Sequence, residues 1–474
     1  MKDAVGIGSS EELFLDIDLD HEDVVLPLHT SIVLFLISYC ECKTFKTFLV
    51  IPEDEHRSPQ DGLFPSDLNV SIVSRKGLPA IVQSCRLPAV IEASGAFCRA
   101  GLAVVLRHII QKTYLVDPSR KDLLELLGFK KTCLKACAEI ALQKVSPEKI
   151  YGLPLIIGWY ERVFKVQGVQ KAAAACNITF LHALHVNSQH HEPSSSSKIH
   201  TEEKEFSDSH FLGGPRPTMT KLKDHGVEAV FSPHPCPSPT IDWGSLPAAV
   251  SPAEGKMSSD RALRKQQQLN NLLSVVTHMA KPGDTIVDFC SGGGHVGIVL
   301  AYTLPSCQIV LIENKEESLM RARDRSNGLG LTNIWFVQAN LDYFTGKFNI
   351  GVALHACGVA TDMVIEHCIL ARAAFVICPC CYGFIQNTVK TTFPRSCRFQ
   401  NVLSCKEHMV LCRFADQTAV QLPPERRLIG KNCMGLVDLD RAWAAEQYGY
   451  TAQVVSMEPE SCSPKNNLII GCPN

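Results

Sequence analysis

The stretch IVDFCSGGGHVGIVLA at residues 286–301 decides the fold class. Apolar residues lead into Asp288, a glycine cluster follows, and a second apolar run begins directly afterwards. Residues 292–297 match G-x-G-x-x-G, in which glycines permit a tight turn between a strand and a helix and let a ligand approach the backbone. The pattern alone is compatible with NAD, with another nucleotide-like cofactor, or with a plain tight turn.

Two acidic residues near the glycines separate these alternatives. Asp288 precedes Gly292 at the end of the first predicted strand, and a carboxylate there would oppose the diphosphate of NAD. The same carboxylate would suit the ammonium and sulfonium groups of S-adenosylmethionine. Glu313 ends the second predicted strand, where an acid can accept hydrogen bonds from ribose hydroxyls. The sequence therefore favours S-adenosylmethionine, with Gly292, Gly294 and Gly297 completing the predicted cofactor loop.

Strands and helices alternate from residue 256 to residue 474. The predicted strands cover residues 285–290, 308–313, 333–340, 348–357 and 374–381. Such alternation predicts a parallel sheet with helices on both faces, the Rossmann-like α/β class. A further helix at 441–448 and a closing antiparallel hairpin are predicted to complete the domain.

Composition bounds the class of protein. The chain has 474 residues, 46% of them hydrophobic, and a net charge of −2, which argues against a protein that coats nucleic acid. Neither an apolar run of membrane-spanning length nor a secretory signal pattern is visible, so we expect no membrane association and a cytoplasmic location. In that setting the 21 cysteines are expected to be reduced thiols.

Composition also divides the chain. The predicted regions are 13–120, 121–187, a disordered linker at 188–210, a Pro/Gly-rich arm at 211–255, and 256–474.

The motifs VDFCSGGGHVGIVLA, LIENK, LHACGVATD and CPCCYG resemble a class I methyltransferase family that includes tRNA 2′-O-methyltransferases. The resemblance covers residues 256–474. It implies a methyltransferase domain that uses S-adenosylmethionine, with RNA as an acceptor class. Asn340 stands where many such enzymes place an adenine-contacting Asp.

The resemblance also indicates candidate catalytic residues. His355 and Cys357 end the fourth predicted strand, beside the expected methyl-transfer centre, where His355 is either a general base or a strand-end histidine bonded to the backbone. Tyr382 follows a Cys-Pro-Cys-Cys run that echoes the D/N-P-P-Y loop of amino-methyltransferases, although on the fifth strand instead of the fourth. We predict that His355, Cys357, Cys380 and Tyr382 surround one pocket.

A metal centre is the alternative use of the cysteine run. Cys378, Cys380 and Cys381, with Cys357 or His355, have the donor types that zinc prefers. Cys380 and Cys381 are adjacent, which is poor spacing for two ligands of one ion, so no metal is predicted.

The wider chain resembles a family that joins a glutathione transferase-like N-terminal region to such a methyltransferase domain. The motifs that carry this resemblance are SRLPAV, VLRHIIQK, LLGFKKTCLKACAE, GGPRPTM and SPHPCP. It implies a thioredoxin-like lobe at 13–120, with Pro88 or Pro79 as its cis-proline, and a shortened helical region at 121–187. The CRA sequence at 98–100 replaces the pair that holds the glutathione γ-glutamyl group. We therefore expect neither glutathione binding nor glutathione conjugation, and expect instead that this region docks protein partners.

Two functions of different classes follow. The first is an S-adenosylmethionine-dependent methyltransferase whose acceptor the sequence does not identify, with RNA as the class that the resemblance implies. The second is a non-catalytic scaffold that docks partners through its transferase-like region and only binds the cofactor. Candidate RNA contacts are the basic residues Arg261, Arg264, Lys265, Arg426, Arg427 and Lys431.

Overall fold

The computed structural model describes residues 11–20, 23–52, 70–127, 214–237, 240–252 and 258–474. The predicted linker at 188–210 and all but the first seven residues of the predicted helical region at 121–187 lie outside this part of the chain. Across the described ranges, no helix combines the length and the apolar character needed to cross a membrane.

The N-terminal region forms a mixed sheet with helices against it. Its strands are β1 (Glu11–Asp16), β2 (Asp18–Asp20), β3 (Asp23–Val25), β4 (Phe45–Ile51), β5 (Val70–Ser74), β6 (Ala89–Ile91) and β7 (Phe97–Ala100). Its described helices are α1 (Leu28–Cys40), α2 (Ala80–Gln83), α3 (Leu102–Val116) and α4 (Lys121–Glu125).

The strands of this region pair as a mixed sheet. The strand order is β5-β4-β1-β6-β7, with β1 parallel to β4 and antiparallel to β6. The Leu87–Pro88 peptide bond is cis and lies directly before β6. Pro79, the competing candidate, instead caps the amino end of α2.

The Pro/Gly-rich arm has more regular structure than predicted. It begins with a helix, α5 (Arg216–Asp224), in which Thr218 and Leu222 are buried. A proline at the start of a helix is well tolerated, because the first backbone N–H groups have no partner within the helix. The described remainder of the arm includes turns and a short 3-10 helix at Ala248–Val250, and the Trp243 indole donates to Asn270 Oδ1 at 2.9 Å.

The C-terminal region alternates strands and helices. Its strands are β8 (Thr285–Phe289), β9 (Gln308–Glu313), β10 (Ile334–Gln338), β11 (Ile350–Cys357), β12 (Ala374–Cys381), β13 (Tyr450–Ser456) and β14 (Asn467–Pro473). Its helices are α6 (Ser259–Met279), α7 (His295–Thr303), α8 (Glu316–Gly328), α9 (Val359–Ala371), α10 (Cys397–Gln400), α11 (Cys405–Ala415) and α12 (Pro424–Glu446).

The order of these strands confirms the predicted Rossmann-like class. It is β10-β9-β8-β11-β12-β14-β13, in which β8 to β12 are parallel and β14 is antiparallel to both neighbours. The order reverses between β8 and β11, the switch point beside which doubly wound sheets bind ligands, outside the carboxyl ends of the strands.

The two regions share one sheet, which the sequence did not indicate. β7 pairs in parallel with β10, so that twelve strands are continuous from β13 to β5. The core is continuous as well, because Ile81 and Val82 of α2 belong to the same buried cluster as Val337 and Phe344.

The largest difference from the predicted elements lies after β12. The predicted helix at 441–448 is only the end of α12, which has 23 residues. Asp438, Asp440 and Arg441 are buried inside this helix, and these charged residues interrupt the apolar pattern from which a helix is predicted.

Candidate functional site

The glycine loop between β8 and α7 uses its glycines for two purposes. Gly292 and Gly294 have φ angles of +54° and +73°, which L side chains rarely adopt. A Cβ on Gly294 would lie 2.7 Å from the Ala322 Cβ, and one on Gly297 would collide with Leu311. A Cβ on Gly292 would meet no atom within 4 Å. Gly294 and Gly297 therefore let α7 pack closely on its neighbours, whereas Gly292 borders open space.

Asp288 lies beneath this loop and is 1% exposed. Its Oδ2 accepts a hydrogen bond from the Gly297 backbone N–H at 2.9 Å. Burial raises the pKa of Asp288 to about 7, although this hydrogen bond and nearby Lys265 oppose the shift. The carboxyl group thus holds the amino end of α7, the position that binds the pyrophosphate in NAD-binding folds.

Glu313 connects the end of β9 to the loop. Its Oε2 accepts the Gly292 N–H at 2.9 Å, and its Oε1 accepts the Lys315 N–H at 2.9 Å. A carboxylate has about four lone-pair positions, so two acceptor positions remain for a ligand.

Two buried polar atoms close to Glu313 have no hydrogen-bond partner among the described residues. They are the hydroxyl oxygen of Ser291 and the Oε1 atom of Gln338. Gln338 is the register partner of Glu313 across β9 and β10, and Ser291 donates its backbone N–H to Ile312. Because buried polar groups are nearly always hydrogen-bonded, this pair fits a polar ligand placed between the loop and β10.

Asn340, the predicted adenine contact, follows β10 and is half-buried. Its carbonyl oxygen accepts the Tyr343 N–H at 3.0 Å. The residue is thus at the same sheet edge as Glu313, two positions beyond Gln338.

His355 lies at an irregularity in β11 and contacts α6. Its φ angle is +77°, and the β11–β12 register shifts between Leu354 and Ala356. The His355 Nε2 lies 3.1 Å from Gln268 Oε1, while the Gln268 amide nitrogen donates to the Cys462 carbonyl. The amide oxygen can only accept, so Nε2 carries the hydrogen and the lone pair is on Nδ1. Burial and the charge of Lys265 lower the pKa of His355 to about 4, so the ring is neutral at pH 7.

Lys265 and Gln268 are functional candidates whose grouping the sequence did not reveal. Lys265, a predicted RNA contact, is half-buried and lies close to Asp288, Cys378 and Cys380. Burial lowers its pKa, and those three groups oppose the change. Lys265 and Gln268 are three residues apart on α6, and residues i and i+3 share a helix face. This spacing is the one signal in the sequence that could have grouped them.

The cysteines at the ends of β11 and β12 come together. The Cys357 and Cys380 sulfurs are 2.8 Å apart, and the Cys380 and Cys381 sulfurs are 3.5 Å apart. The sulfurs of Cys380 and Cys381 therefore lie close together, although adjacent residues in a strand normally point to opposite faces. Cys378 is different, because it is fully buried in the core.

Tyr382 is not at the predicted pocket. It is fully buried, and its hydroxyl donates to Asp438 Oδ2 at 2.7 Å. Burial raises its pKa well above the usual range, and Asp438 adds to the shift. The aromatic ring packs beside Arg441 and Lys465 and anchors α12 to the sheet, so it does not present a face to an acceptor.

The basic residues predicted to contact RNA divide into two groups. Lys431 is half-buried and donates to Ser456, Asn466 and Asn467, and burial lowers its pKa to about 8. Lys265 faces the sheet edge described above, and Arg427 is half-buried as well. The exposed members are Arg261, Arg264 and Arg426.

The CRA sequence at 98–100 has a structural use. The Arg99 side chain is 4% exposed and forms ion pairs with Glu92 at 2.8 Å and with Glu316 of α8 at 2.9 Å. Arg323 of α8 pairs with Glu92 as well, at 3.1 Å. Arg99 therefore connects the N-terminal region to the C-terminal region through these ion pairs.

Residues 264–388 match a family model described as a methyltransferase domain. The chain is 53% identical to a Xenopus laevis protein named glutathione S-transferase C-terminal domain-containing protein, with 96% of this chain and 99% of that protein covered. The human protein of the same name is 49% identical, with 98% and 99% covered. The Xenopus alignment runs over 606 residues, more than the 474 of this chain, so that relative contains residues without a counterpart here.

Among solved structures, a SAM-dependent methyltransferase from Aquifex aeolicus is 15% identical, with 45% of this chain and 98% of that chain covered and a TM-score of 0.25.

Proposed function

We propose that this chain, which belongs to the family of glutathione S-transferase C-terminal domain-containing proteins, is a methyltransferase that uses S-adenosylmethionine. The observation that carries the proposal is the arrangement of Asp288 and Glu313 on either side of the glycine loop. Asp288 occupies the helix end that a diphosphate would need, and Glu313 keeps two acceptor positions open. Both features suit a cofactor with ribose hydroxyls and a cationic centre.

The residues around the loop fit this cofactor. Glu313 would accept the ribose hydroxyls, and Ser291 and Gln338 would supply polar atoms that otherwise lack partners in the described structure. Asn340 would contact the adenine. Open space beside Gly292 would take the methionine portion. When bound, the cofactor supplies an electrophilic methyl group.

His355 is the proposed general base. Gln268 fixes the ring through Nε2, which leaves the Nδ1 lone pair to accept a proton from a hydroxyl or amine. The low pKa keeps this lone pair available at neutral pH, although it also makes the base weak. Cys357, the last residue of β11, lies two residues after His355, and we assign it no role in the transfer step.

RNA is the proposed acceptor class. It is supported by the resemblance of the domain motifs and by the exposed guanidinium groups of Arg261, Arg264 and Arg426. Arginine is well suited to phosphate, because its planar group can donate two parallel hydrogen bonds.

The test is transfer of a radiolabelled methyl group from the cofactor to fractionated cellular RNA, protein and small molecules. We expect label in RNA, and we expect His355→Gln to lower turnover by about 10²-fold or more without changing cofactor affinity. The matched control is His278→Gln, since His278 is an exposed histidine at the end of α6. Label found in protein or in small molecules, and not in RNA, would show that the acceptor is not RNA. Cofactor binding without transfer to any fraction would favour the non-catalytic scaffold.

A further inference from the structure

Three cysteine sulfurs converge at the carboxyl ends of β11 and β12. The Sγ atoms of Cys357, Cys380 and Cys381 all lie within 4.8 Å of one another. Cys357 is exposed, and the other two are half-buried. None of these thiols is used by the proposed methyl transfer.

Backbone features of both strands produce this convergence. The β11–β12 register shifts twice between Leu354 and Cys357, which brings Cys357 opposite Cys381. The Gly358 N–H then donates to the Cys381 carbonyl at 2.9 Å and fixes the two strand ends together. On its other side β12 pairs with β14 only as far as Ile377, so Pro379 needs no N–H for that ladder.

We propose that Cys357, Cys380 and Cys381 form a binding site for one Zn²⁺ ion, with a fourth coordination position open to solvent. Thiolates are preferred zinc ligands, and sites with three protein ligands keep a position for water or substrate. Because Cys357 is exposed, the open position lies on the outer side of the strand ends.

The sulfur distances are close to those that zinc requires. Zn–S bonds of ~2.3 Å at tetrahedral angles place two sulfurs about 3.8 Å apart. Cys380 and Cys381 are 3.5 Å apart already. Cys357 and Cys380, at 2.8 Å, must separate by about 1 Å, and a change in the side-chain torsion of exposed Cys357 can supply this. An iron–sulfur cluster normally takes four protein ligands, so three thiols favour a single ion.

This site is independent of the proposed function. It lies at the same sheet edge as the glycine loop, but metal content can be measured without cofactor, acceptor or turnover. A protein that lacks methyltransferase activity could still hold zinc, and a methyltransferase could lack it.

The experiment measures metals in the full chain. Protein is produced in zinc-supplemented medium, purified with a non-thiol reductant and without chelator, and analysed by inductively coupled plasma mass spectrometry. We expect about one Zn²⁺ per chain, and loss of most of it in Cys357→Ser, Cys380→Ser and Cys381→Ser. Cys472→Ser is the matched control, because Cys472 is also exposed and lies near the amino end of β12. It should retain the wild-type zinc content.

A second measurement covers variants that fail to fold. Wild-type protein reconstituted with Co²⁺ should show a thiolate-to-cobalt charge-transfer band, and titration with a mercurial reagent should release the metal as thiols react. Purified wild-type chain with no zinc, with copper or iron in its place, or with a Cys357–Cys380 disulfide found by peptide mass spectrometry would overturn the proposal.

Discussion

Two buried carboxyl groups, one in each region of the sheet, differ in whether they have ion-pair partners. Glu11 of β1 lies 2.5 Å from His108 Nε2 and 2.6 Å from Lys112 Nζ. Burial alone would raise the pKa of Glu11, but these two partners lower it to about 2. Asp288 of β8 accepts one backbone N–H, and burial raises its pKa to about 7.

The difference separates an ion-paired acid, Glu11, from the acid that we propose for the cofactor site, Asp288. Glu11 is ionised and paired, so its charge stabilises the N-terminal lobe at neutral pH. Asp288 forms no ion pair in the described structure, and nearby Lys265 offsets only part of the cost of burying its charge. A buried acid whose pKa is raised by desolvation, and which has no ion-pair partner among the described residues, is a candidate for a ligand site.

The largest expected effect is a pH dependence of opposite sign in the two regions. Asp288 binds its proton more tightly when folded, so its contribution is greatest below pH 4 and falls as pH rises to about 7. The loss is on the order of 3–4 kcal/mol without cofactor. Glu11 behaves in reverse, since its stabilisation is complete above about pH 4.5 and is lost as pH falls towards 2.

Hydrogen-exchange protection of β8 and β1 measures both trends in the same sample. Asp288→Asn should remove the decline in β8 protection between pH 4 and 7 and leave β1 unchanged. A β8 protection that stays constant over this range in the wild-type protein would show that Asp288 is not desolvated as described.

A smaller effect is expected when the paired acid is removed. Glu11→Gln weakens the hydrogen bonds of His108 and Lys112 to a charged acceptor and should lower the opening free energy of the N-terminal lobe by about 1.5–3 kcal/mol at pH 7. Glu12→Gln is the control on the same strand and should change it by less than about 0.5 kcal/mol. Equal effects of the two substitutions, measured by exchange in β1 and β4, would mean that the ion pairs contribute nothing specific.

The C-terminal region could be predicted well from local sequence. The strands at 308–313 and 374–381 have the bounds that the sequence predicted, because apolar runs bounded by turn residues and charged helices mark them. The family and the Rossmann-like class are likewise confirmed. Glu313 is the last residue of β9 and Asp288 is the penultimate residue of β8, and the carboxyl ends of parallel strands meet at one edge.

Contacts between distant segments could not be predicted in this way. The pairing of β7 with β10, the placement of Lys265 and Gln268 against His355, and the burial of Tyr382 all depend on tertiary packing. Tyr382 shows the reason most clearly. Its partner Asp438 is 56 residues away, inside a helix whose apolar pattern is interrupted by buried charges.

The most direct test of the account is calorimetric titration of the full chain with S-adenosylhomocysteine and, separately, with NAD. We expect S-adenosylhomocysteine to bind and NAD to give no signal. Glu313→Ala should weaken S-adenosylhomocysteine binding by about 1–3 kcal/mol through lost hydrogen bonds to a charged group, whereas Glu317→Ala, an exposed acid in the first turn of α8, should leave it unchanged. Tight binding of NAD with no S-adenosylhomocysteine signal would contradict the assignment of this site.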